Sequence, residues 1–229
     1  MKTNTGKPGA GKIGKAAVTP FDSAILEKAA KLILKGGVVV CPTDTGYAFS
    51  ADALNVRAIA KVFQLKGRSF TNPIHIAVRN MDEADKYACV NDAARYLAKR
   101  YLPGALTLVM RKRETIPSLL VAGLNTVGIR IPKNDAILKL VELTGKPVTT
   151  TSANIRGKPG TYAVEEVTAQ LGADVDKVDF ILDEGPIKVR EVSTIVDMEA
   201  NPPQLIRQGK ISWLDIHESL ERFEQTAQG

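Results

Sequence analysis

The sequence is short of several features on which common protein classes depend. No apolar run approaches the roughly 20 residues that a membrane-spanning helix requires, and the N-terminus has no apolar core of a secretory signal. The chain has two cysteines, Cys41 and Cys89, and two histidines, His75 and His217, whose spacing fits no zinc site. We therefore expect a cytoplasmic protein with reduced thiols, no membrane contact and no metal held by the protein itself.

Aromatic residues are also scarce, and the positive charge is unevenly placed. Aromatics make up 5% of the chain, which is few for a protein that stacks nucleic-acid bases. The net charge is +6, but four of the 31 basic residues lie within residues 1–20, which contain no acid. The rest of the chain has 27 basic and 25 acidic residues. We expect residues 1–20 to be a basic, disordered tail, whose contact with RNA would be weak.

This N-terminal segment also contains a match to the phosphate-binding motif G-x-x-x-x-G-K, from Gly6 to Lys12. A P-loop requires a strand before the motif, a helix after it, and Ser or Thr as the next residue. Here Ile13 follows Lys12, and no strand is predicted before Gly6. We interpret the motif as a chance match.

The remaining 209 or so residues alternate between predicted helices and strands. Helices are predicted over 21–35, 52–65, 81–88, 92–101, 135–143, 163–171 and 213–223. Strands are predicted over 38–41, 73–78, 106–111, 127–131, 147–151, 178–182, 193–196 and 204–207. No repeat or linker divides them, so we expect one α/β domain over residues 21–212, followed by a C-terminal helix and tail over 213–229.

The stretch around residues 38–47 is the centre of this domain. Residues 38–41 are apolar without alternation, as in a strand covered on both faces. Pro42 ends the regular ladder because it has no N–H to donate. Thr43, Asp44 and Thr45 follow directly. Small polar side chains at the end of a buried strand are placed to line a crevice.

Several cations stand at the ends of predicted elements. Lys66 and Arg68 follow a helix, where the pattern fits either a charged helix cap or a phosphate clamp. Arg130 interrupts an apolar strand, and a buried arginine must be paired or must meet an anion. His75, inside a strand, is interpreted as a half-buried structural histidine. Cations near strand-end hydroxyls suit a polyanionic ligand that has a carboxylate, such as a nucleotide together with an amino acid.

Eight short motifs occur in the order found in the YrdC-like threonylcarbamoyl-AMP synthases, and the chain resembles this family from about residue 22 to 212. The motifs are Pro42-Thr-Asp-Thr-Gly-Tyr47, Lys66-Gly-Arg68, Asn72-Pro73, Pro103-Gly104, Thr126-Val-Gly-Ile-Arg130, Thr151-Ser-Ala-Asn154, Ser193-Thr-Ile-Val-Asp197 and Leu205-Ile-Arg-Gln-Gly209. The resemblance implies a single α/β domain with a twisted, mostly parallel open sheet, flanked by helices, around a large positively charged cavity. It also implies an activity that joins L-threonine, bicarbonate and ATP into threonylcarbamoyl-AMP and pyrophosphate, for the threonylcarbamoyl modification of adenosine in tRNA.

The resemblance further implies roles for individual residues. The catalytic and phosphate-binding set is Lys66, Arg68, Ser152 and Asn154, further ATP contacts are Asn72, Thr126 and Arg207, and the threonine pocket is Thr45, Arg130, Thr150 and Ser193. Arg130 would bind the substrate carboxylate, and magnesium would arrive with ATP. The downstream partner would be the machinery that transfers the threonylcarbamoyl group to tRNA.

The chain departs from the family pattern at three places, and one alternative function stays open. Many relatives have histidine at the position of Ala77, a hydroxyl at that of Gly160, and proline directly after the Lys-x-Arg signature, where this chain has Ser69-Phe70. The alternative is a non-catalytic protein on the same fold that binds double-stranded RNA or tRNA. It is favoured by the pI near 9.3 and by the turn Thr43-Asp-Thr-Gly-Tyr-Ala48, which resembles a divergent branch of the family. The intact Lys66/Arg68 and Ser152/Asn154 pairs favour the synthase.

Overall fold

The computed structural model describes residues 13–15, 21–67, 71–188 and 190–227. Within them the helices are α1 (Ser23–Leu34), α2 (Val56–Leu65), α3 (Met81–Ala84), α4 (Asp92–Tyr101), α5 (Asp135–Thr144), α6 (Val164–Leu171) and α7 (Trp213–Ala227), with a 3-10 helix at Gly172–Lys177. The strands are β1 (Ile13–Lys15), β2 (Val39–Thr43), β3 (Gly46–Ser50), β4 (Ile76–Ala77), β5 (Leu106–Arg111), β6 (Thr126–Arg130), β7 (Val148–Thr149), β8 (Thr151–Ser152), β9 (Phe180–Asp183), β10 (Thr194–Asp197) and β11 (Gln204–Arg207). The predicted α/β domain is confirmed.

The strands form two sheets, and this corrects the expectation of one mostly parallel sheet. The strand orders are β1-β9-β2-β3-β8 and β11-β10-β5-β6-β4-β7. Of the nine pairings between described strands, four are parallel and five antiparallel. Asp44 and Thr45 alone join β2 to β3. Strands linked by so short a connection pair in antiparallel orientation, because parallel strands require a long crossover.

Buried strand β2 separates two apolar clusters, which explains its unbroken apolar sequence. Val38 and Val40 belong to the larger cluster, while Val39 and Cys41 pack in a second cluster beneath α1 and α5. Successive strand residues face opposite sides of a sheet, so a strand covered on both sides needs apolar residues at every position. Burial among apolar side chains raises the pKa of the Cys41 thiol.

Helix α2 carries the chain from this sheet to Lys66. The Asn55 side chain caps its first turn by accepting from the backbone N–H groups of Arg57 and Ala58. Its apolar positions 58, 59, 62, 63 and 65 are buried, and they follow the helical period that the sequence predicts. The helix thereby places Lys66 at the edge of the larger cluster.

Three residues of the N-terminal segment take part in the first sheet, although no strand was predicted there. Strand β1 pairs in parallel with β9, with Ile13 opposite Ile181. The motif from Gly6 to Lys12 lies outside the described residues. A strand follows it, whereas a helix follows a P-loop, so the backbone order also argues against a P-loop.

The C-terminal helix α7 packs against α4 and extends beyond the predicted 213–223. The Tyr101 hydroxyl lies 2.8 Å from both the Ser219 hydroxyl and the Asp215 carbonyl, and the Tyr96 and Phe223 rings are 5.3 Å apart. None of the helices in the described ranges is long and apolar enough to cross a membrane.

Candidate functional site

A cavity of about 410 Å³ is lined by residues from both sheets. It brings together nine of the predicted site residues, namely Thr45, Lys66, Asn72, Arg130, Thr150, Ser152, Asn154, Ser193 and Arg207. Thr126 does not line it, because it lies at the opposite end of β6 from Arg130 and pairs with Arg111. Arg68 lies outside the described residues.

Arg130 ends strand β6 with its guanidinium buried, and three protein groups hold it. Its side chain is 6% exposed. Nη2 donates to Asp44 Oδ1 at 2.7 Å, Nη1 to Thr45 Oγ1 at 2.5 Å, and Nε to the Gly104 carbonyl at 3.2 Å. Burial lowers the pKa of Arg130, and the charge of Asp44 acts in the opposite direction. Since a guanidinium has five N–H groups, two have no partner among the described residues.

A second group of hydrogen bonds joins β5, β10 and β11 beside Arg130. The hydroxyls of Thr107 and Ser193 are 2.9 Å apart. Arg207 Nη2 donates to the Ser193 carbonyl at 2.8 Å and to Ser193 Oγ at 3.1 Å. Partial burial and the positive charge of Arg130 lower the pKa of Arg207. The structure thus groups Arg207 with the residues predicted to bind threonine, and an anion near both arginines would offset their repulsion.

Lys66 carries its ammonium into the turn after β8. The residue is 4% exposed. Nζ donates to the Ser152 carbonyl at 2.5 Å, to Asn154 Oδ1 at 3.0 Å and to the Asn154 carbonyl at 3.2 Å, and Ser152 Oγ lies 3.5 Å away. Three of the four residues predicted to be catalytic are therefore in direct contact.

Thr150 separates β7 from β8, so the predicted strand 147–151 is interrupted inside the cavity. The backbone N–H of Thr150 donates to the His75 carbonyl at 2.9 Å, and Thr150 is buried. Thr150 lines the cavity, while Ser152 pairs with Ala48 of β3. One short segment thereby places both Thr150 and Ser152 in the cavity.

His75 is half-buried, as the sequence predicted, and it also lines the cavity. Its ring lies against Gly128, where an added Cβ would come within 2.5 Å of His75 Cδ2. Ala77, two residues later, is fully buried in the cluster beneath α1 and α5. In this chain the histidine that lines the cavity is therefore at position 75, whereas many relatives have a histidine at the position of Ala77.

Sequence reasoning missed Arg156 and the role of Asp44. Arg156 lines the cavity, and its backbone N–H donates to the Lys66 carbonyl at 2.9 Å. The sequence signal that could have identified Arg156 is its position two residues after Asn154. Asp44 was noted as a crevice residue, but nothing in the sequence connects it to Arg130.

The charges around the cavity favour anionic ligands. The described lining residues include four cations, Lys66, Arg130, Arg156 and Arg207, and no carboxylate. Such a cavity attracts phosphates and carboxylates. In the described part of the chain, no three Asp, Glu, His or Cys side chains are grouped as metal ligands.

Residues 31–209 match the family model Sua5/YciO/YrdC, which carries the description telomere recombination. The chain belongs to the Sua5/YciO/YrdC family. It is 41% identical over 187 residues to the "Putative threonylcarbamoyl-AMP synthase" of Methanocaldococcus jannaschii, covering 82% of this chain and 86% of that protein. It is 36% identical over 189 residues to the threonylcarbamoyl-AMP synthase of Pyrococcus abyssi, where the match covers 82% of this chain and 55% of the relative. The chain thus spans about half the length of the Pyrococcus family member.

Solved structures of family members have the same fold. Sua5 of P. abyssi in complex with L-threonine superposes with a TM-score of 0.81 at 35% identity, over 85% of this chain and 56% of that one. YciO of Escherichia coli, an uncharacterised protein by its name, superposes with a TM-score of 0.75 at 26% identity, over 83% and 92% of the two chains. The YrdC-like fold expected from the eight motifs is confirmed.

Proposed function

We propose that this protein is a threonylcarbamoyl-AMP synthase, which makes threonylcarbamoyl-AMP and pyrophosphate from L-threonine, bicarbonate and ATP. The observation that carries the proposal is a buried arginine, Arg130, with two N–H groups available to a ligand, in the same cavity as the Lys66, Ser152 and Asn154 group. The names of the relatives and the threonine complex of the Pyrococcus protein support the same activity.

The end of the cavity at Arg130 suits an amino acid. A planar guanidinium can bind a carboxylate through two parallel N–H···O bonds. Thr45, Thr150 and Ser193 line the same cavity, and their hydroxyl groups can pair with the polar substituents of threonine. Arg207 adds positive charge beside the same carboxylate.

The end of the cavity at Lys66 suits the nucleotide phosphates. Lys66 holds the Ser152–Asn154 turn in place, and Arg156 lies in the same loop. We expect Arg68 and Asn72 to contribute here, and Thr126 to be the least important of the predicted ATP contacts. No carboxylate lines this region among the described residues, so magnesium would be bound mainly by the phosphates of ATP and by water.

This reaction requires no nucleophile from the protein. The amino group of threonine takes up carbon dioxide derived from bicarbonate and becomes a carbamate. A carbamate oxygen then bonds to the α-phosphorus as the bond to the β-phosphate oxygen breaks, and pyrophosphate leaves. Both reactants are anions that repel each other in water. Fixing them in one cationic cavity supplies the alignment, which is worth about 7–11 kcal/mol in well-oriented systems, and stabilises charge on the phosphates.

The product would be consumed by the machinery that transfers the threonylcarbamoyl group to adenosine in tRNA. The described cavity gives no support to the RNA-binding alternative. Among the described lining residues, Tyr47 is the single Phe, Tyr or Trp side chain, and it is fully buried and hydrogen-bonded. Base stacking requires an accessible aromatic face.

The proposal is tested by measuring pyrophosphate release with ATP, magnesium and bicarbonate, with and without L-threonine. We expect release by the wild type that depends on threonine, and loss of that dependence in Arg130→Ala. Arg113→Ala is the matched control, because Arg113 is exposed, pairs with Asp85 and does not line the cavity. A folded wild type that releases no pyrophosphate under these conditions would refute the proposed activity.

A further inference from the structure

Asp44 connects the two sheets at the edge of the cavity. It lies in the two-residue connection between β2 and β3, in the first sheet. Its Oδ1 accepts from Arg130 Nη2 at 2.7 Å and from the backbone N–H of Lys133 at 3.1 Å, both in or next to the second sheet. The side chain is 17% exposed, and it does not line the cavity. Asp44 therefore acts from behind the arginine rather than on a ligand.

The connection that carries Asp44 is itself held firmly. Thr43 Oγ1 donates to the Gly46 carbonyl at 2.6 Å and accepts from the Thr45 N–H at 3.1 Å. The next residue, Tyr47, donates its backbone N–H to the Thr161 carbonyl at 2.9 Å. Because Asp44 cannot readily follow a moving side chain, its carboxylate fixes where the guanidinium lies.

The three bonds to Arg130 determine which of its N–H groups a ligand can reach. Asp44, Thr45 and Gly104 each occupy one N–H group, and the two that are left match the number a carboxylate accepts in a bidentate pair. Asp44 also offsets the charge of Arg130 when the cavity holds no ligand, and Arg207 keeps the pocket positive.

We propose that Asp44 is a positioning residue, which orients Arg130 so that its two remaining N–H groups receive the carboxylate of the amino acid substrate. The inference rests on the proposed function, since the substrate is taken to be L-threonine. Asp44 touches neither substrate nor reacting atoms, and its effect is confined to recognition of the carboxylate.

The test compares Asp44→Ala and Asp44→Asn with Asp52→Asn in the full chain. Asp52 is a matched control because it is buried, pairs with Lys146 at 2.7 Å and does not line the cavity. Calorimetry measures binding of L-threonine and of L-threoninamide, which lacks the carboxylate, and pyrophosphate release measures the KM for threonine and for ATP. Asp44→Asn keeps an oxygen acceptor for the arginine, so it is the conservative variant.

We expect Asp44→Ala to weaken L-threonine binding about tenfold or more, the effect of losing one charge-assisted hydrogen bond. Threoninamide binding and the KM for ATP should stay within about twofold, so the preference for threonine over threoninamide falls. Asp44→Asn should lose less of this preference, and Asp52→Asn none. If Asp44→Ala does not fold, the test uses the preference of Asp44→Asn for L-threonine over L-threoninamide. A preference equal to that of the wild type overturns the proposal.

The remaining outcomes separate this proposal from the proposed function. Tighter threonine binding by Asp44→Ala would overturn it, since Asp44 would then compete with the substrate. An equal rise in the KM for threonine and ATP would also overturn it and indicate a general structural role. Threonine binding that depends on Asp44, in a protein that releases no pyrophosphate, supports the positioning role and contradicts the synthase. A wild type that binds no threonine overturns both.

Discussion

At the scale of single residues, Lys66 sets the geometry of the turn that the nucleotide phosphates are proposed to meet. An ammonium has three N–H groups arranged around one point, and here four oxygens of Ser152 and Asn154 lie within 3.5 Å of it. A guanidinium spreads its donors over a plane and cannot reproduce this arrangement. Without the ammonium, two partly buried main-chain carbonyls would lose their partner.

We therefore predict that Lys66→Arg reduces activity about as severely as Lys66→Met, by on the order of 100-fold, as for the loss of one group that stabilises a transition state. The measurement is kcat/KM for ATP in pyrophosphate release, with the melting temperature recorded alongside. Lys61→Arg is the control, because Lys61 makes one hydrogen bond, to the Gly36 carbonyl, from the same helix. Near wild-type activity in Lys66→Arg would show that positive charge alone suffices.

Tyr47 provides a prediction for alkaline pH. Its hydroxyl donates to the Gly185 carbonyl at 2.8 Å, and burial raises the pKa of Tyr47 above its usual 10.0 in the folded protein. The folded state then keeps a proton that the unfolded state loses above about pH 10. We expect the free energy of unfolding to fall as pH rises past 10, by at most about 1.4 kcal/mol per pH unit from this group.

Urea unfolding of the wild type and Tyr47→Phe at pH 8, 10 and 11 checks this. The variant should be less stable at pH 8 because it lacks the hydrogen bond, but its stability should fall less steeply above pH 10. Burial also raises the pKa of Cys41 above its usual 9.0, so both proteins share a decline that begins near pH 9. Equal slopes above pH 10 would contradict the interpretation of Tyr47.

The sequence pointed to Arg130 but could not identify its partner. A cation inside an apolar strand must meet an anion or a set of acceptors, so the residue was visible as a site candidate without any structure. Asp44 is 86 positions away and belongs to the other sheet. Their contact depends on how the sheets pack, which no local pattern encodes.

At the scale of elements, the β2–β3 hairpin is the part that the sequence described least completely. The apolar run and the polar turn predicted β2 and the crevice, whereas β3 was missed. Gly46, Ala48 and Ser50 have little preference for strands. Burial of all five β3 residues between β2 and β8 determines the strand instead, and this is tertiary information.

The hairpin also requires glycine at position 46. Gly46 has a φ of +128°, and an added Cβ would lie 2.9 Å from the Thr161 carbonyl oxygen. Gly157 has a φ of +80° with nothing within 4 Å of its Cβ position. We predict that Gly157→Ala costs about 1–2 kcal/mol of unfolding free energy through backbone strain, and that Gly46→Ala costs about 1–3 kcal/mol more through the clash. Urea unfolding of both variants provides the comparison, and equal losses would contradict the contact with Thr161.

At the scale of the whole molecule, the described residues that line the cavity all fall between positions 43 and 207 of the sequence, outside the basic N-terminal segment. We predict that removing residues 2–12 leaves threonine-dependent pyrophosphate release within about twofold, since β1 is retained. Removing residues 2–20 also deletes β1, which pairs with β9, and should lower the melting temperature. A loss of activity in the shorter truncation would place part of the site in the N-terminal segment.

The same pair of truncations addresses RNA. Salt-sensitive RNA binding that disappears with residues 2–12 would be due to the lysines of that segment. Binding that survives both truncations and disappears in Arg207→Ala would instead assign RNA to the cavity. We expect the first result or no binding.

The overall architecture was only partly accessible from the sequence. Alternating helices and strands indicated an α/β domain, and the eight motifs indicated the family. The division into two sheets was not predicted, because pairs such as β2 with β9 and β3 with β8 join segments far apart in the chain. Strand pairing over such distances is decided by packing of the complete domain rather than by local propensity.

The most direct test of the synthase is to identify the nucleotide product with labelled substrates. Purified protein is incubated with ATP, magnesium, L-threonine and ¹³C-bicarbonate, and the adenylates are analysed by mass spectrometry. We predict an adenylate whose mass increases by one carbon label with bicarbonate and shifts again with labelled threonine, absent in Arg130→Ala. Formation of AMP without either label, or no adenylate from a folded protein, would contradict the account.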